Sequence, residues 1–344
     1  MKTKKPTHLI NFLSVVALAL LTSCGGGGGG GDSSQPIAAT APSNANLQQT
    51  VIASTYSPGS EELAAFNLLN VERNRCGFGL LRQNAQLDAA AKSHGDYQIL
   101  NDVVSHVEET GKPGFTGVTP SDRIVAKNYL SAGGVTDEIV GYKGTADKTG
   151  LGASSIRGLL NAPYHLRGLV GGYREIGVSV RSSSDLASSS TPSVYLQINA
   201  AYKTSEGPQL TGGNDVNTYP CEGTTGVNYQ LRNETPNPVP NRDLSVNPLG
   251  SVVYMAVRVG NTLVLTNTSM IDLSTGQAVL LRPPVTATSD PYAPCQEGCF
   301  KSHQAYVAAD GPLQKNAAYQ VLINGTNNGT AFSRVFTFTT GNGG

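Results

Sequence analysis

Cysteine is the residue type whose spacing in this sequence carries the most direct chemical information. Four cysteines lie in the body of the chain: Cys76, Cys221, Cys295 and Cys299. In an oxidising compartment, four cysteines predict two disulfides, which three pairings would satisfy. Cys295 and Cys299 are close in sequence and form the natural local pair, which leaves Cys76 to bond with Cys221. No Cys or His lies at zinc-finger spacing around either of the latter two, so disulfides are favoured over a metal site.

The amino terminus has the pattern of an export signal. Three lysines among the first five residues precede an apolar run over 9–21, which is short for a membrane-spanning helix. The run ends in Leu-Thr-Ser-Cys, which resembles the bacterial lipobox, so we predict a lipoprotein signal peptide at 1–23 and lipidation of Cys24. An ordinary signal peptide is the alternative. Glycines over 25–31 begin a Gly/Ser-rich tether, predicted over 24–57.

The composition excludes one broad class of function. Twenty-four Lys and Arg balance twenty-four Asp and Glu, so the formal net charge is +0. A nucleic-acid-binding protein needs an excess of positive charge to replace the counterions on phosphate, so no nucleic-acid partner is expected. Charged residues make up only 14% of the chain, and Gly, Ser, Thr and Asn take their place. This polar but weakly charged composition is typical of an exported, turn-rich protein.

Residues 58–204 are predicted to form helices first and strands later. Ser60 and Asn84 have the residue types and positions of helix N-caps, and Pro163 disfavours helix in the residue before it. The order of elements indicates an α+β domain with α/β/α layering. Apolar periodicity predicts helices at Glu61–Arg75, from Asn84 to about residue 100 and over 154–160, and strands over 175–180 and 194–202.

The remainder of the chain differs from the first domain in composition and in its pattern of apolar residues. Residues 205–245 are rich in Gly, Asn and Pro, which predicts a semi-rigid connector. Six or seven short strands separated by turn residues then predict an all-β sandwich over 246–342. These strands are expected over 252–259, 262–266, 278–281, 305–308, 319–323 and 334–339.

Several short motifs follow one another in the first domain: Leu69-Asn70-x-x-Arg73, Leu87-x-x-x-Ala91-x-x-His94, Ser105-His106, Asp137-Glu138-Ile139, Ala162-Pro163-Tyr164-His165 and Tyr173-x-x-Ile176-Gly177-Val178. Their order and spacing resemble the bacterial branch of the CAP superfamily, the SCP-like family that includes cysteine-rich secretory and plant pathogenesis-related proteins. The resemblance implies a CAP-type α/β/α sandwich. The C-terminal strands are similar to the bacterial Ig-like domains that follow CAP domains.

The resemblance also implies a site of two histidines and a glutamate in an open groove, at His106, Glu138 and His165. Neutral imidazoles and a carboxylate suit Zn or another divalent cation. The same trio suits acid–base chemistry, and a hydrogen-bonded cluster that only fixes loops is the third interpretation. The second glutamate of the eukaryotic members has no secure counterpart; Glu108 is the candidate to replace it, and Glu175 is a further candidate to line the groove.

The other reactive residue types have simpler interpretations. His94 lies on the inner face of the second predicted helix and is expected to be a core histidine, whereas His303 is expected at the surface. The chain has no Gly-x-Ser-x-Gly elbow for a serine nucleophile. Its paired glycines lack the strand–loop–helix setting of a phosphate-binding loop, and its aspartates lack EF-hand spacing.

Together these patterns predict an extracytoplasmic, membrane-anchored lipoprotein of the outer membrane or cell surface. Its CAP groove is expected to bind a cation or a small ligand without catalysis. The expected partners are the membrane, through the lipid, and a cell-envelope component or small apolar ligand. One alternative is a hydrolase that uses the His/Glu cluster on peptides or envelope polymers. The other is a structural or adhesive surface protein with an inert site.

Overall fold

A computed structural model describes residues 44–186, 191–294 and 298–343. The predicted signal peptide, the lipidation site Cys24 and the cysteine at 295 lie outside these ranges. The described chain combines α-helices with three four-stranded sheets, in agreement with the predicted α+β class. Across the described ranges, no helix is long and apolar enough to cross a membrane.

The helices lie in the first half of the described chain. Ser60 caps the first helix by accepting a hydrogen bond from the Leu63 backbone N–H at 3.2 Å, and Asn84 caps the second, as the sequence predicts. The last helix was not predicted. Pro163 is its first residue, a position where the missing N–H has no helical partner to lose. The helices are α1 (Glu61–Arg75), α2 (Ala85–Asn101), α3 (Pro120–Ala126), α4 (Leu151–Leu159) and α5 (Pro163–Leu169).

The first sheet has the strand order β1-β3-β4-β2. Helix α2 packs on one face, where Gly177 lies against the backbone of Leu87. Helices α1, α4 and α5 cover the other face, where Val178 joins a core with Phe66. The sequence pattern does not predict β2, because glycines interrupt its alternation of apolar residues. The strands are β1 (Arg82–Gln83), β2 (Ala132–Lys143), β3 (Glu175–Ser182) and β4 (Ser193–Lys203).

Two further sheets follow, with the orders β5-β7-β10-β9 and β6-β12-β11-β8. The predicted strand over 278–281 forms only isolated bridges, at Ala278 and Leu281. The strands are β5 (Asn217–Tyr219), β6 (Thr224–Val227), β7 (Val252–Ala256), β8 (Leu263–Asp272), β9 (Val285–Thr286), β10 (Gln304–Ala308), β11 (Ala318–Asn327) and β12 (Thr330–Thr340).

The middle sheet is covered on both faces. Val253 and Met255 of β7 pack against the third sheet, in a core that includes Phe336. Val252 and Tyr254, which alternate with them, join the core of the helical half instead. Because both faces of β7 are buried, its sequence is a continuous apolar run rather than an alternating one.

The predicted connector over 205–245 is part of the folded body. It supplies β5 and β6, and its Cys221 forms the predicted disulfide with Cys76 at the end of α1. Asn217 also donates its side-chain N–H to the Cys76 carbonyl at 2.9 Å. Cys299 is disulfide-bonded as well. Strand pairing and the cross-link therefore hold a Pro- and Gly-rich segment that composition alone predicts to be a spacer.

The predicted tether also ends earlier than expected, because residues 44–57 lie against the fold. Gln48 donates from its side chain to the carbonyls of Leu80 and Arg174 at 2.8 and 2.9 Å. The Tyr56 ring packs edge-on against Phe66. Side-chain hydrogen bonds and ring packing therefore hold the last part of the predicted tether against the folded body.

Candidate functional site

His106 and His165 line one cavity of about 550 Å³. Its walls come from four parts of the chain: the loop over 104–106, the stretch 139–142 of β2, helices α4 and α5 with the turn between them, and the segment 228–235. Apolar groups such as Leu159 and Ala162 alternate with hydrogen-bonding groups along these walls. This mixture is typical of small-ligand sites, and so is the volume.

An ion pair beneath the cavity holds His106. Its imidazole is half exposed, and Nδ1 lies 3.1 Å from Oδ2 of Asp137. The same oxygen accepts a hydrogen bond from Arg123 Nη2 at 3.0 Å, and Arg123 Nη1 donates to the His106 carbonyl at 3.0 Å. Both the ring and the backbone of His106 are therefore fixed by one buried pair of opposite charges.

A second buried cluster fixes the loop around His106. His94 Nδ1 lies 2.8 Å from Glu108 Oε1, and its Nε2 lies 2.8 Å from the Ser105 carbonyl, to which Nε2 must donate. The other oxygen of Glu108 accepts from the Thr116 backbone N–H at 2.6 Å. Burial lowers the pKa of His94. His94 is a core residue, as expected, and Glu108 anchors the loop instead of completing a ligand set.

Glu138 is buried against helix α5. Adjacent residues of a strand point to opposite faces, so Glu138 and Asp137 point to different faces of the sheet. The Glu138 carboxylate accepts from Thr136 Oγ1 at 2.9 Å and lies against Gly168 of α5. Burial raises the pKa of Glu138 to about 7, although the nearby His165 and His106 oppose the shift. Glu138 is not among the residues that line the cavity.

His165 has a carboxylate partner that the sequence analysis did not identify. Its Nδ1 lies 3.4 Å from Oε1 of Glu234, and the same oxygen accepts the Tyr164 backbone N–H at 2.7 Å. Burial alone would lower the pKa of His165. The hydrogen bond with Glu234 and the negative charges of Glu138 and Glu234 outweigh burial and raise it. Burial also raises the pKa of Glu234.

The structure thus gives each cavity histidine a carboxylate of its own, and neither is the predicted Glu138. Asp137 was visible in the sequence as the neighbour of Glu138. Glu234 gave no signal, because it lies in a Pro-rich stretch with no periodicity and meets His165 only through the tertiary fold. In each histidine, Nδ1 is the ring nitrogen beside the carboxylate, and Nε2 makes no hydrogen bond with any of the described residues.

A hydrogen bond that Nδ1–H donates to a carboxylate is the arrangement that orients a metal-binding imidazole. Two such nitrogens are fewer than the three protein ligands of a typical zinc site. In the ranges that the structure describes, no group of three or more His, Cys, Asp or Glu side chains is placed to hold a metal ion.

The two remaining candidates lie elsewhere. Glu175 on β3 accepts hydrogen bonds from Tyr129 Oη at 2.6 Å and Asn84 Nδ2 at 3.0 Å, and does not line the cavity. His303 is only partly exposed, and burial lowers its pKa, so it is not the open surface residue that was expected.

Comparison with known proteins finds only weak structural similarity. No family model and no curated protein matches the chain. An outer surface protein of Borrelia burgdorferi is similar in structure, with 15% identity and a TM-score of 0.34 over 44% of this chain and 100% of that chain. An extracellular protein containing an SCP domain, from Bacillus anthracis, has 19% identity and a TM-score of 0.33 over 44% of this chain and 45% of that chain.

Proposed function

We propose that this chain is an exported, lipid-anchored protein with a CAP-like N-terminal half, and that it binds a small ligand or a cation in the cavity between His106 and His165. Export and the anchor are proposed from the amino-terminal pattern, and the Cys76–Cys221 disulfide supports an oxidising compartment. The CAP-like assignment rests on the order of motifs in the sequence.

One observation carries the binding proposal. Two histidines from distant parts of the chain line the same cavity, and a carboxylate holds Nδ1 of each. Oriented imidazoles beside apolar walls provide both recognition and burial for a small molecule. A cation bound here would use the two Nε2 atoms and take its remaining ligands from water or from a bound molecule.

The position of Glu138 supports binding over hydrolysis. A carboxyl with a pKa of about 7 suits general-base catalysis at neutral pH. Its carboxylate, however, is buried against Gly168 and is not among the groups that line the cavity. Hydrolysis of an unstructured protein substrate such as casein that disappears in Glu138→Gln would contradict this part of the proposal.

The C-terminal half contributes more than a spacer. The cavity wall over 228–235 includes Glu234, and this segment is fixed where Leu231 bridges to Leu249 by backbone hydrogen bonds of 2.8 and 3.1 Å. We therefore include the β-rich half in the binding function, because its packing determines where Glu234 lies.

The test is a binding experiment on the full chain with two probes. Zn²⁺ is titrated by calorimetry, and a mixture of neutral small-molecule fragments is screened by ligand-observed NMR. We expect binding of at least one probe that is lost in the double variant His106→Ala/His165→Ala. The control is His303→Ala, which removes a histidine outside the cavity. Equal binding by the double variant, or no binding of either probe, would overturn the proposal.

A further inference from the structure

Strand β2 is an edge strand whose open side forms part of the cavity wall. In the order β1-β3-β4-β2, it pairs with β4 on one side only. The stretch 139–142 of β2 lines the cavity. An unpaired strand edge presents backbone N–H and C=O groups to whatever lies beside it.

The register shows which backbone groups point outward. Gly144, just beyond β2, donates its N–H to the Pro192 carbonyl at 2.8 Å, which is the side of β4. In an antiparallel pair, the backbone groups of successive residues point alternately toward and away from the partner strand. Tyr142 and Val140 therefore point toward β4, whereas Gly141 and Ile139 point away from it. The one register shift of β2 lies earlier, between Ala132 and Gly134, and leaves this stretch regular.

The surroundings leave room for a short extended chain beside this edge. The segment 228–235 also lines the cavity, and apart from the isolated bridge at Leu231 it forms no strand and is not paired with β2 in the described structure. A cavity of about 550 Å³ admits a few residues of a peptide but not another folded sheet. Residues of a strand are about 3.3 Å apart, so the outward groups of Ile139 and Gly141 match every second residue of such a peptide.

The polar groups at the cavity favour a ligand that is rich in hydrogen-bond donors. The Glu234 carboxylate is paired with His165, and the guanidinium of Arg232, which also lines the cavity, donates to the Ser245 carbonyl. Glu234 lines the cavity and is only 6% exposed, yet its Oε2 has no hydrogen-bond partner. Buried polar atoms are normally satisfied, so an acceptor of this kind favours a ligand that donates N–H groups.

We infer that the cavity binds an extended peptide segment of a separate molecule, which adds as a short strand to the edge of β2 through the backbone of Ile139 and Gly141. This deepens the proposed binding function by naming its ligand class. Main-chain hydrogen bonds would supply the affinity, and side chains facing Leu159, Ala162 and Tyr142 would supply the selectivity.

The experiment uses the full chain and the neutral probe peptide acetyl-Val-Ala-Val-Ala-amide. Amide hydrogen exchange is followed by NMR with the peptide at about ten times its Kd, where exchange of protected amides is expected to slow about tenfold. Slowing should be selective for Ile139 and Gly141, whose N–H groups the peptide would engage. Equal slowing at Val140 and Tyr142, or no binding at millimolar peptide, would overturn the inference.

Two controls separate strand addition from other binding. The same peptide with every backbone nitrogen methylated keeps its side chains but loses its donors, and we expect its affinity to fall at least about tenfold. Gly158 of α4 lines the cavity, and a Cβ there would meet no atom within 4 Å. Gly158→Leu is therefore expected to block the peptide while Gly158→Ala, the matched variant, retains most of the binding.

The outcomes also distinguish this inference from the proposed function. If Zn²⁺ or fragment binding depends on His106 and His165 but the peptide does not bind, the ligand class is wrong and the site remains. Equal affinities of the methylated and the unmethylated peptide would likewise mean that the ligand class is wrong and that the site remains. A second copy of this chain as the occupant would appear as a concentration-dependent dimer that Gly158→Leu abolishes, and would overturn the assignment to a separate peptide.

Discussion

Glu234 and His165 meet across the two halves of the described chain. Glu234 comes after β6 in the chain, and its side chain reaches α5. There, one carboxylate oxygen contacts the His165 imidazole and accepts the backbone N–H groups of Tyr164 and His165. The pair fixes both the ring orientation at the cavity and the path of the segment over 228–235. A single carboxylate therefore links the β-rich half to the histidine of the helical half.

Glu234→Gln is expected to lower the pKa of His165. The carboxylate hydrogen bond and charge raise that pKa against the effect of burial, and a neutral amide removes the charge. Because the pKa of His165 is raised above 6.5 on folding, the protonation of this imidazole contributes stability that is present below pH 6.5 and is lost as the pH rises through the folded pKa. NMR titration of the imidazole is the measurement, with the exposed Glu109→Gln as control. A pKa of His165 that is unchanged in Glu234→Gln would contradict the assigned pair.

Glu138 should make the stability of the protein depend on pH. Its pKa rises from 4.5 to about 7 on folding, so the folded state binds this proton more tightly than the unfolded state. The free energy of unfolding should fall by roughly 3 kcal/mol from this group as the pH rises from 4.5 to about 7. Glu138→Gln mimics the protonated form and should remove this decline in urea unfolding. The same slope in wild type and variant would show that Glu138 is not the group responsible.

Asp137→Asn should be strongly destabilising, because it leaves the fully buried guanidinium of Arg123 without its nearest anion. Breaking one partner of a buried ion pair costs about 3–5 kcal/mol. The control Lys112→Gln breaks an exposed pair with Glu109 and should cost less than about 1 kcal/mol. Urea unfolding at constant pH measures both. Similar small losses for the two variants would mean that the Arg123 charge is compensated by another group.

Two glycine-to-alanine changes in neighbouring helices should have opposite effects on stability. A Cβ at Gly168 would overlap the Glu138 carboxylate, whereas a Cβ at Gly158 would meet no atom within 4 Å. Gly158→Ala should stabilise α4 by about 0.5–1 kcal/mol through helix propensity. Gly168→Ala should destabilise the protein by about 1–3 kcal/mol, because the buried carboxylate must move. Thermal unfolding measures both changes, and a stabilising Gly168→Ala would contradict the close approach of Glu138 to α5.

Removal of the Cys76–Cys221 disulfide should lower stability by about 3–5 kcal/mol, because the bond closes a loop with a sequence separation of 145. The double variant Cys76→Ala/Cys221→Ala avoids a free thiol and a buried hydroxyl. Its urea midpoint is compared with that of the wild type under non-reducing conditions. Reduction of the wild type provides a second comparison. An unchanged midpoint in the double variant would show that the cross-link adds nothing to the stability of the folded body.

Short sequence patterns predicted the elements whose formation depends on interactions between residues close in the chain. Helix α1 was predicted with its exact bounds, because the apolar period and the cap at Ser60 lie within a few residues of one another. Strand β2 was missed although it carries Asp137 and Glu138, because its fit to the sheet depends on pairing with β4, far along the chain. The same reason explains why 205–245 was predicted to be a connector and contributes two strands.

By itself, the sequence predicted the α+β class, the first two helices with their caps and, as the favoured one of three pairings, the Cys76–Cys221 bond. The resemblance to the CAP superfamily pointed to the two histidines of the cavity. Only the tertiary structure decided which carboxylate meets each imidazole. Alternation along β2 turns Asp137 toward His106 and Glu138 toward α5, and the packing of the β-rich half brings Glu234 to His165. Such pairings depend on the relative placement of distant segments, which side-chain types and short spacings do not encode.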